Sequence, residues 1–440
     1  MEENMTTGEK IKSLRKELKL TQSELAGKEM TKSMLSQIEN NNAMPSMKNL
    51  KYLANKLGKP ISYFLDENTL NENIPIEEIK TKIKIADEYM RNRENKKVIE
   101  VLDDILNNYD INKNSKLYAD ILYKNGASQV NLMNFEVSDK YLKKAVEIYN
   151  QHNLYSYAAK AYMEFFGRYW NEQNYNKCLN ILTEAYELYM NSTTEDITFH
   201  LEYLSNKSLI LSSMGRINES FKPIDDAINL SKETNVYYNT GELYRLKGNL
   251  NRVMENYENV LHYFKKAKLF AQFTDNELDL AILELNFSVY YTDINEPMKA
   301  LEYLKRAREM FKNTPHYPKH LFHNQLAIVY YMLEDYQKAY DEINKSTFPE
   351  LLFHKVDYVN MWLGKVYKGM ILYKLGDKNQ AIESINKGIE MMSKVGNSKY
   401  LSFAYKELSN IYSEIDDYKN AFKSLKKSEQ ILKSLNGNPF

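Results

Sequence analysis

A handful of side chains in one short stretch could read a nucleic acid. In "TQSELAGKEMTKSMLSQIENNNAMPS", Lys32, Ser33, Ser36 and Gln37 take helical positions that turn away from Leu35 and Ile38. Amides and hydroxyls both donate and accept hydrogen bonds, and lysine adds a positive charge, which suits base edges and phosphates. Gln22 opens the preceding helix, where free backbone N–H groups can meet a phosphate. Arg15, Lys19 and Lys48 are expected to reach further phosphates.

Five short helices must hold these side chains. Ile11, Leu14 and Leu18 mark one apolar face of a helix over about 8–18. Thr21 with Glu24 forms the signature of a capping box for the second helix, which buries Leu25 and Ala26. Thr31 caps the third, with Leu35 and Ile38 inward, and the fourth spans about Ser46–Leu57. A fifth short helix follows Pro60 through Phe64. Two short helices across a tight connection near Lys28–Met30 have helix-turn-helix spacing, in which the second helix enters the major groove. Residues 1–65 carry eleven basic and seven acidic side chains in a chain whose net charge is zero, so a basic head precedes a mildly acidic body.

Residues 8–65 resemble the Cro-like (XRE) helix-turn-helix family. The text that carries the resemblance is "IKSLRKELKLTQSELA" and "SQIENNNAMPSMKNLKYLANKLG". It implies base or phosphate contacts for Gln22, Lys32, Ser33 and Gln37. Where the family often has glycine after the I-E-N run, this chain has Asn40, Asn41 and Asn42, and asparagine tolerates left-handed backbone.

From about residue 76 the chain repeats. Small or short residues recur at Val98, Ser138, Cys178, Ser220, Val260, Ala300, Ala339, Ala381 and Ala421, at intervals of 39 to 42 residues. A second, mostly small series follows seven residues after each (Ala145, Ala185, Ala227, Ala267 and so on), and a third precedes each by twelve, with Phe166 as the exception. Small residues at fixed register are what two closely crossing helices need, and such pairs bury a continuous core only by stacking. Cys178 belongs to the anchor series and reads as packing. The pattern resembles stretched tetratricopeptide repeats over about 78–436. The expected architecture is therefore all-α. A five-helix Cro-like head (1–66) and a linker (67–77) precede a right-handed superhelix of about nine tetratricopeptide-like helix pairs (78–440).

Such a superhelix has a concave face lined by the first helix of each pair, and such faces bind extended peptides or protein segments. In the fifth unit the inward positions are Arg245, Asn249 and Arg252. Asn410 stands at the position equivalent to Asn249, Asn324 falls on the same strip, and Asn206 and Asn286 share a neighbouring register. An asparagine amide can pair with both polar groups of a peptide backbone.

A Cro-like head on elongated tetratricopeptide repeats resembles the peptide-pheromone receptors of Gram-positive bacteria, the Rgg, Rap, NprR, PlcR and PrgX group, and most of all the NprR type. The resemblance implies a quorum-sensing transcription regulator, with a short re-imported signalling peptide in the groove and double-stranded DNA with a palindromic operator as partners. It also implies homodimers or higher oligomers. The alternative is a repeat scaffold that binds and inhibits a protein such as a sporulation response regulator.

The remaining features point away from other classes. One cysteine allows no disulfide within the chain, and a polar, acidic start with no long apolar run predicts a cytoplasmic protein without a membrane span. There is no P-loop, HExxH, nucleophile elbow or Cys/His metal cluster, so no catalytic residue, metal or cofactor is expected. His316, His320 and His323 are spaced like ligands, but beside Pro315 and Pro318 they read as a repeat junction.

Overall fold

The computed structural model describes residues 6–43, 45–59, 61–64, 76–312, 318–348, 354–435 and 439–440. All regular structure among them is helical, and no described helix is long and apolar enough to cross a membrane. By compactness the chain divides into Met1–Asn153 and Leu154–Phe440, a boundary that falls inside the repeat array. Of the expected linker 67–77, only Ile76 and Glu77 are described, and they open a helix.

The head contains α1 (Thr7–Glu17), α2 (Gln22–Ala26), α3 (Lys32–Glu39), α4 (Met47–Leu57) and α5 (Ile61–Phe64). Thr21 and Glu24 form the expected capping box, Thr6 and Glu9 form another, and Thr31 and Ser46 cap α3 and α4. Each such cap stabilises its helix by about 1 kcal/mol. Ile11, Leu14, Leu25, Leu35, Ile38, Leu50, Leu53 and Phe64 form one core. Leu18 departs from expectation: it lies at the C-cap of α1 and is 48% exposed. Asn41 takes the left-handed turn after α3, at φ +60°.

The described body is nine helix pairs. The first unit holds α6 (Ile76–Arg91) with α7 (Asn95–Asn108), and α8 (Lys116–Asn131) with α9 (Phe135–Gln151). The second unit opens with α10 (Tyr155–Met163) and α11 (Phe165–Asn171), which together pack on α12 (Tyr175–Tyr189). Next come α13 (Ile197–Ser213) with α14 (Ile217–Thr234), α15 (Thr240–Val253) with α16 (Val260–Phe273), and α17 (Glu277–Asp293) with α18 (Pro297–Phe311). The last three pairs are α19 (Lys319–Met332) with α20 (Tyr336–Ile343), α21 (Lys355–Lys374) with α22 (Lys378–Ser393), and α23 (Lys399–Glu414) with α24 (Tyr418–Leu435).

The small-residue series mark where the two helices of a pair touch. Ser138 Oγ donates to Gly126 O at 3.0 Å and Ser409 Oγ to Ala421 O at 2.8 Å, so anchor and upstream partner meet directly. A Cβ at Gly369 would lie 2.5 Å from Ala381 O, and one at Gly248 2.5 Å from the Phe264 ring. Cys178 is fully buried in the same row, 3.8 Å from Phe166 O, and burial pushes its thiol up to about 12. Phe166, the large residue in this series, stands in the pair whose first helix is broken in two, at Glu164.

Every pair turns through one left-handed residue five positions before its anchor: Arg93, Met133, Gln173, Gly215, Glu255, Asn295, Glu334, Gly376 and Asp416. Only two of these nine are glycine.

The second unit winds back on itself, so that α21 touches α13. Ser212 Oγ lies 3.1 Å from His354 Nε2. Lys399 Nζ donates to Val253 O and to Glu255 Oε1, both at 2.8 Å. Phe440 packs between the two large cores of this unit, over Gly215 and beside Tyr400.

Candidate nucleic-acid interface and peptide groove

On α3 the apolar spacing puts Leu35 and Ile38 into the head core and leaves Lys32, Ser33 and Gln37 exposed, with Ser36 half-buried beside them. None of these four makes a hydrogen bond to another described residue that would occupy it. Lys48, at the start of α4, is 82% exposed and meets Glu29 at 3.1 Å.

Beneath this face lies an ion pair that holds α1, α2 and α3 together. Glu39 closes α3 with its carboxylate fully buried. Arg15 from α1 donates through Nε at 2.5 Å and Nη2 at 2.9 Å, and Gln22 from α2 donates through Nε2 at 2.9 Å. The third arm of Arg15 donates to Leu20 O at 2.8 Å. Burial opposes the Glu39 charge, but the hydrogen bonds from Arg15 and Gln22 outweigh it, and the carboxyl sits below its ordinary range. The expectation that Arg15 contacts phosphate is therefore corrected: its guanidinium is committed to Glu39 and Leu20 and braces the exposed face of α3. Gln22 is half-buried, and its amide serves the same clamp. Glu39 as the hub has no local signature, because its partners stand 17 and 24 residues away.

These features match known proteins as the geometry suggests. Residues 8–69 match the helix-turn-helix domain family. The head is a helix-turn-helix domain. Over 67 residues it is 43% identical to the immunity repressor protein of Bacillus phage phi105, a match that covers 15% of this chain and 46% of that protein. Residues 368–392 match the tetratricopeptide repeat family, and residues 161–237 match anaphase-promoting complex subunit 5. A TPR repeat-containing protein of Methanocaldococcus jannaschii is 25% identical over 168 residues, 37% of this chain and 27% of that protein. The chain thus spans less than half the length of either curated relative it matches. Among solved structures, a Rap protein complexed with competence and sporulation factor is 14% identical and covers 83% of this chain and all of its own, with a TM-score of 0.56. Aspartyl phosphate phosphatase F of Bacillus subtilis covers 82% of this chain and 95% of its own at 15% identity, with a TM-score of 0.51. The chain has the Rap fold. The resemblance drawn from the sequence is borne out in both parts, a helix-turn-helix head and a Rap-like repeat body.

In the second unit, α13, α15 and α17 touch in succession and present the predicted groove residues. Arg245 and Asn249 are half-buried on one face of α15, and no described residue hydrogen-bonds the Asn249 amide. Arg245 Nε donates to Glu242 at 3.0 Å. Burial alone would lower the Arg245 pKa, but Glu242, Asp357 and Asp279 around it raise it, so the guanidinium stays charged. Arg252 is buried and donates to Asp293 at 2.7 Å, with its Nε unpartnered, so it anchors α15 to α17. Asn206 on α13 and Asn286 on α17 are half-buried, and Asn286 Nδ2 is a buried donor without a partner among the described residues.

The two remaining expected groove residues, Asn324 and Asn410, differ from each other. Asn324 is 3% exposed; its Nδ2 donates to Met361 O at 3.1 Å, and its amide fills the space that a Cβ at Gly364 would take. It is packing between α19 and α21, not part of an open strip. Asn410 is exposed and lines a cleft of about 270 Å³ with Tyr331, Tyr373, Glu407 and Glu414. One inward residue was missed in the sequence: Glu202, one turn before Asn206 on α13, whose carboxyl burial pushes up to about 7. Register was the signal that could have found it. His323 donates to or accepts from Glu342 at 2.7 Å, His320 is half-buried on α19, and His316 lies outside the described residues.

Proposed function

We propose that this chain is a cytoplasmic DNA-binding transcription regulator of the quorum-sensing type, whose repeat body binds a short signalling peptide. The observation that carries the DNA half is the uncommitted polar face of α3, with Lys32, Ser33 and Gln37 exposed above the buried Arg15–Glu39–Gln22 clamp. A rigid helix with free donors and acceptors is what direct readout requires. Homodimers on a palindromic operator follow from two such heads acting together. The peptide half rests on Asn206, Asn249 and Asn286 on three adjoining helices, with an unmet donor on Asn286 and a charged Arg245 beside them. A peptide backbone laid across them would meet amides in series. By linkage, the peptide controls DNA binding only as far as it prefers one arrangement of the heads over another.

A second reading, a body that binds a response regulator, is favoured by one observation. The Rap likeness covers all of one Rap chain and 83% of this one. The deciding experiment titrates the full chain onto DNA flanking its own gene at two salt concentrations, with and without peptides from adjacent small reading frames. Salt-steep, sequence-specific binding that a peptide alters supports the regulator. Absence of DNA binding in every condition overturns it in favour of the second reading.

A further inference from the structure

The last described helix keeps a core face that no described residue covers. In the inner pairs of the second unit, the residues four and eleven positions after the anchor are buried where the second helix meets the first helix of its own pair and that of the next, as Phe264 is between Gly248 and Phe287. Leu182, Phe264, Leu304 and Ile385 are fully buried at the first of these positions, and Tyr189, Phe311 and Met392 are at most 8% exposed at the second. In α24 the same two positions are Leu425 and Leu432, at 42% and 53% exposure. Tyr418 and Phe422 extend the stripe at 65% and 69%. A terminal repeat that faces water replaces such residues with polar ones; this helix does not.

The sequence of α24 also says what should lie there. Tyr418, Leu425 and Leu432 repeat at seven residues, the spacing of a helix-to-helix seam, and Glu429 is the one charge within the stripe. Lys419, Lys426 and Lys433 repeat at the same spacing along the outer edge, all exposed. No described residue forms an ion pair with any of the three, so their charge stands open to a partner along this edge. The described residues that follow turn away: Pro439 O accepts from Lys399 N at 3.1 Å, and Phe440 lies beside Tyr400. A second copy fits poorly. Two α24 helices packed antiparallel about a two-fold axis would set this lysine row against its own image.

We infer that the Tyr418–Phe422–Leu425–Leu432 face docks an amphipathic helix of another protein, one with an Asp/Glu row along the edge that meets Lys419, Lys426 and Lys433. The occupant is a helix because, throughout the second unit, the first helix of the next pair packs on the second helix of the pair before it. It is acidic because the edge holds unpaired positive charge. The inference uses neither DNA nor the peptide groove, so it stands or falls apart from the regulator reading.

The test uses two labelled, side-chain-stapled helical peptides with the same leucine seam, one with a glutamate edge and one with a lysine edge. Binding to the full chain is read by fluorescence anisotropy. The acidic peptide should bind, and the basic one should bind at least about tenfold more weakly, by like-charge juxtaposition. Leu425→Asp with Leu432→Asp should abolish binding while the circular dichroism spectrum and thermal midpoint hold, since both sites are exposed. Lys426→Glu with Lys433→Glu should reverse the preference between the peptides, which a merely sticky surface would not do. Equal binding of both peptides, or binding of neither, overturns the inference. So does sedimentation showing a wild-type dimer that the Leu425/Leu432 variant dissociates, which would make this face a self-interface.

Discussion

Replacing Glu39 by Gln tests whether the buried clamp, and not helix propensity, holds α3 in place. The volume is kept, but the carboxylate that receives Arg15 and Gln22 becomes a neutral amide. Glu39 is fully buried and Arg15 is 12% exposed at the side chain. Breaking a buried pair by removing one charge costs about 3–5 kcal/mol. Because part of the guanidinium reaches water, the lower end applies, about 3 kcal/mol, or about a hundredfold in the opening equilibrium. Hydrogen exchange read by mass spectrometry on the full chain should show α1–α3 amides exchanging about a hundredfold faster, with α13–α24 unchanged. The pH dependence has a definite sign. The folded head holds Glu39 below its ordinary range, so this stability is fully present above that range and is lost as pH falls through the folded value. Wild-type protection of α3 should therefore fall only once the pH drops below the ordinary carboxylate range, while the variant should show no such step. Protection in Glu39→Gln within twofold of wild type would refute the clamp.

Further outcomes follow from other sites. Lys32→Ala should weaken DNA binding evenly across sequences and lower the slope of log affinity against log salt by about 1, whereas Gln37→Ala should lose about 1–3 kcal/mol of discrimination between operator and variant sites. Asn249→Ala should weaken binding of an active peptide by about 1–3 kcal/mol in calorimetry, because a buried partner would be left unmet; unchanged affinity removes it from the groove. Gly369→Ala forces a Cβ to within 2.5 Å of Ala381 O and should destabilise the body by about 1–3 kcal/mol, seen as a lower urea midpoint. Met133→Gly should raise that midpoint by the equivalent of about 1 kcal/mol, since Met133 is left-handed at φ +62° and 65% exposed.

The head was readable because its signals are local. Thr21 and Glu24, Thr31 and Ser46 cap helices within three residues of themselves, and the apolar spacing of α3 fixed which side chains face out. The nine pairs were readable because close helix crossings demand small residues at one register. The misreadings share the opposite cause. Arg15 is taken by a carboxylate 24 residues away, and Asn324 by a carbonyl 37 residues away, so neither commitment shows in a local pattern. The turns between paired helices were invisible for another reason: seven of nine left-handed positions carry side chains such as Arg93, Gln173 and Glu334, where glycine would have announced them. In these turns backbone hydrogen bonds to the preceding helix hold the conformation, as Glu94 N to Tyr89 O does after Arg93.

The contacts of Ser212 with His354, of Lys399 with Val253 and Glu255, and of Phe440 with Gly215 join segments more than 140 residues apart. An ordinary repeat stack has only nearest-neighbour contacts and can fray from either end, one unit at a time. These ties remove that freedom from the pairs between α13 and α24, since no inner pair can open while the clasp holds both sides of it. That stretch should melt as a single cooperative block, and its folding must wait for the search that closes a very long loop. For a protein built from interchangeable modules, the rate of becoming native is thus set by where its distant ends meet.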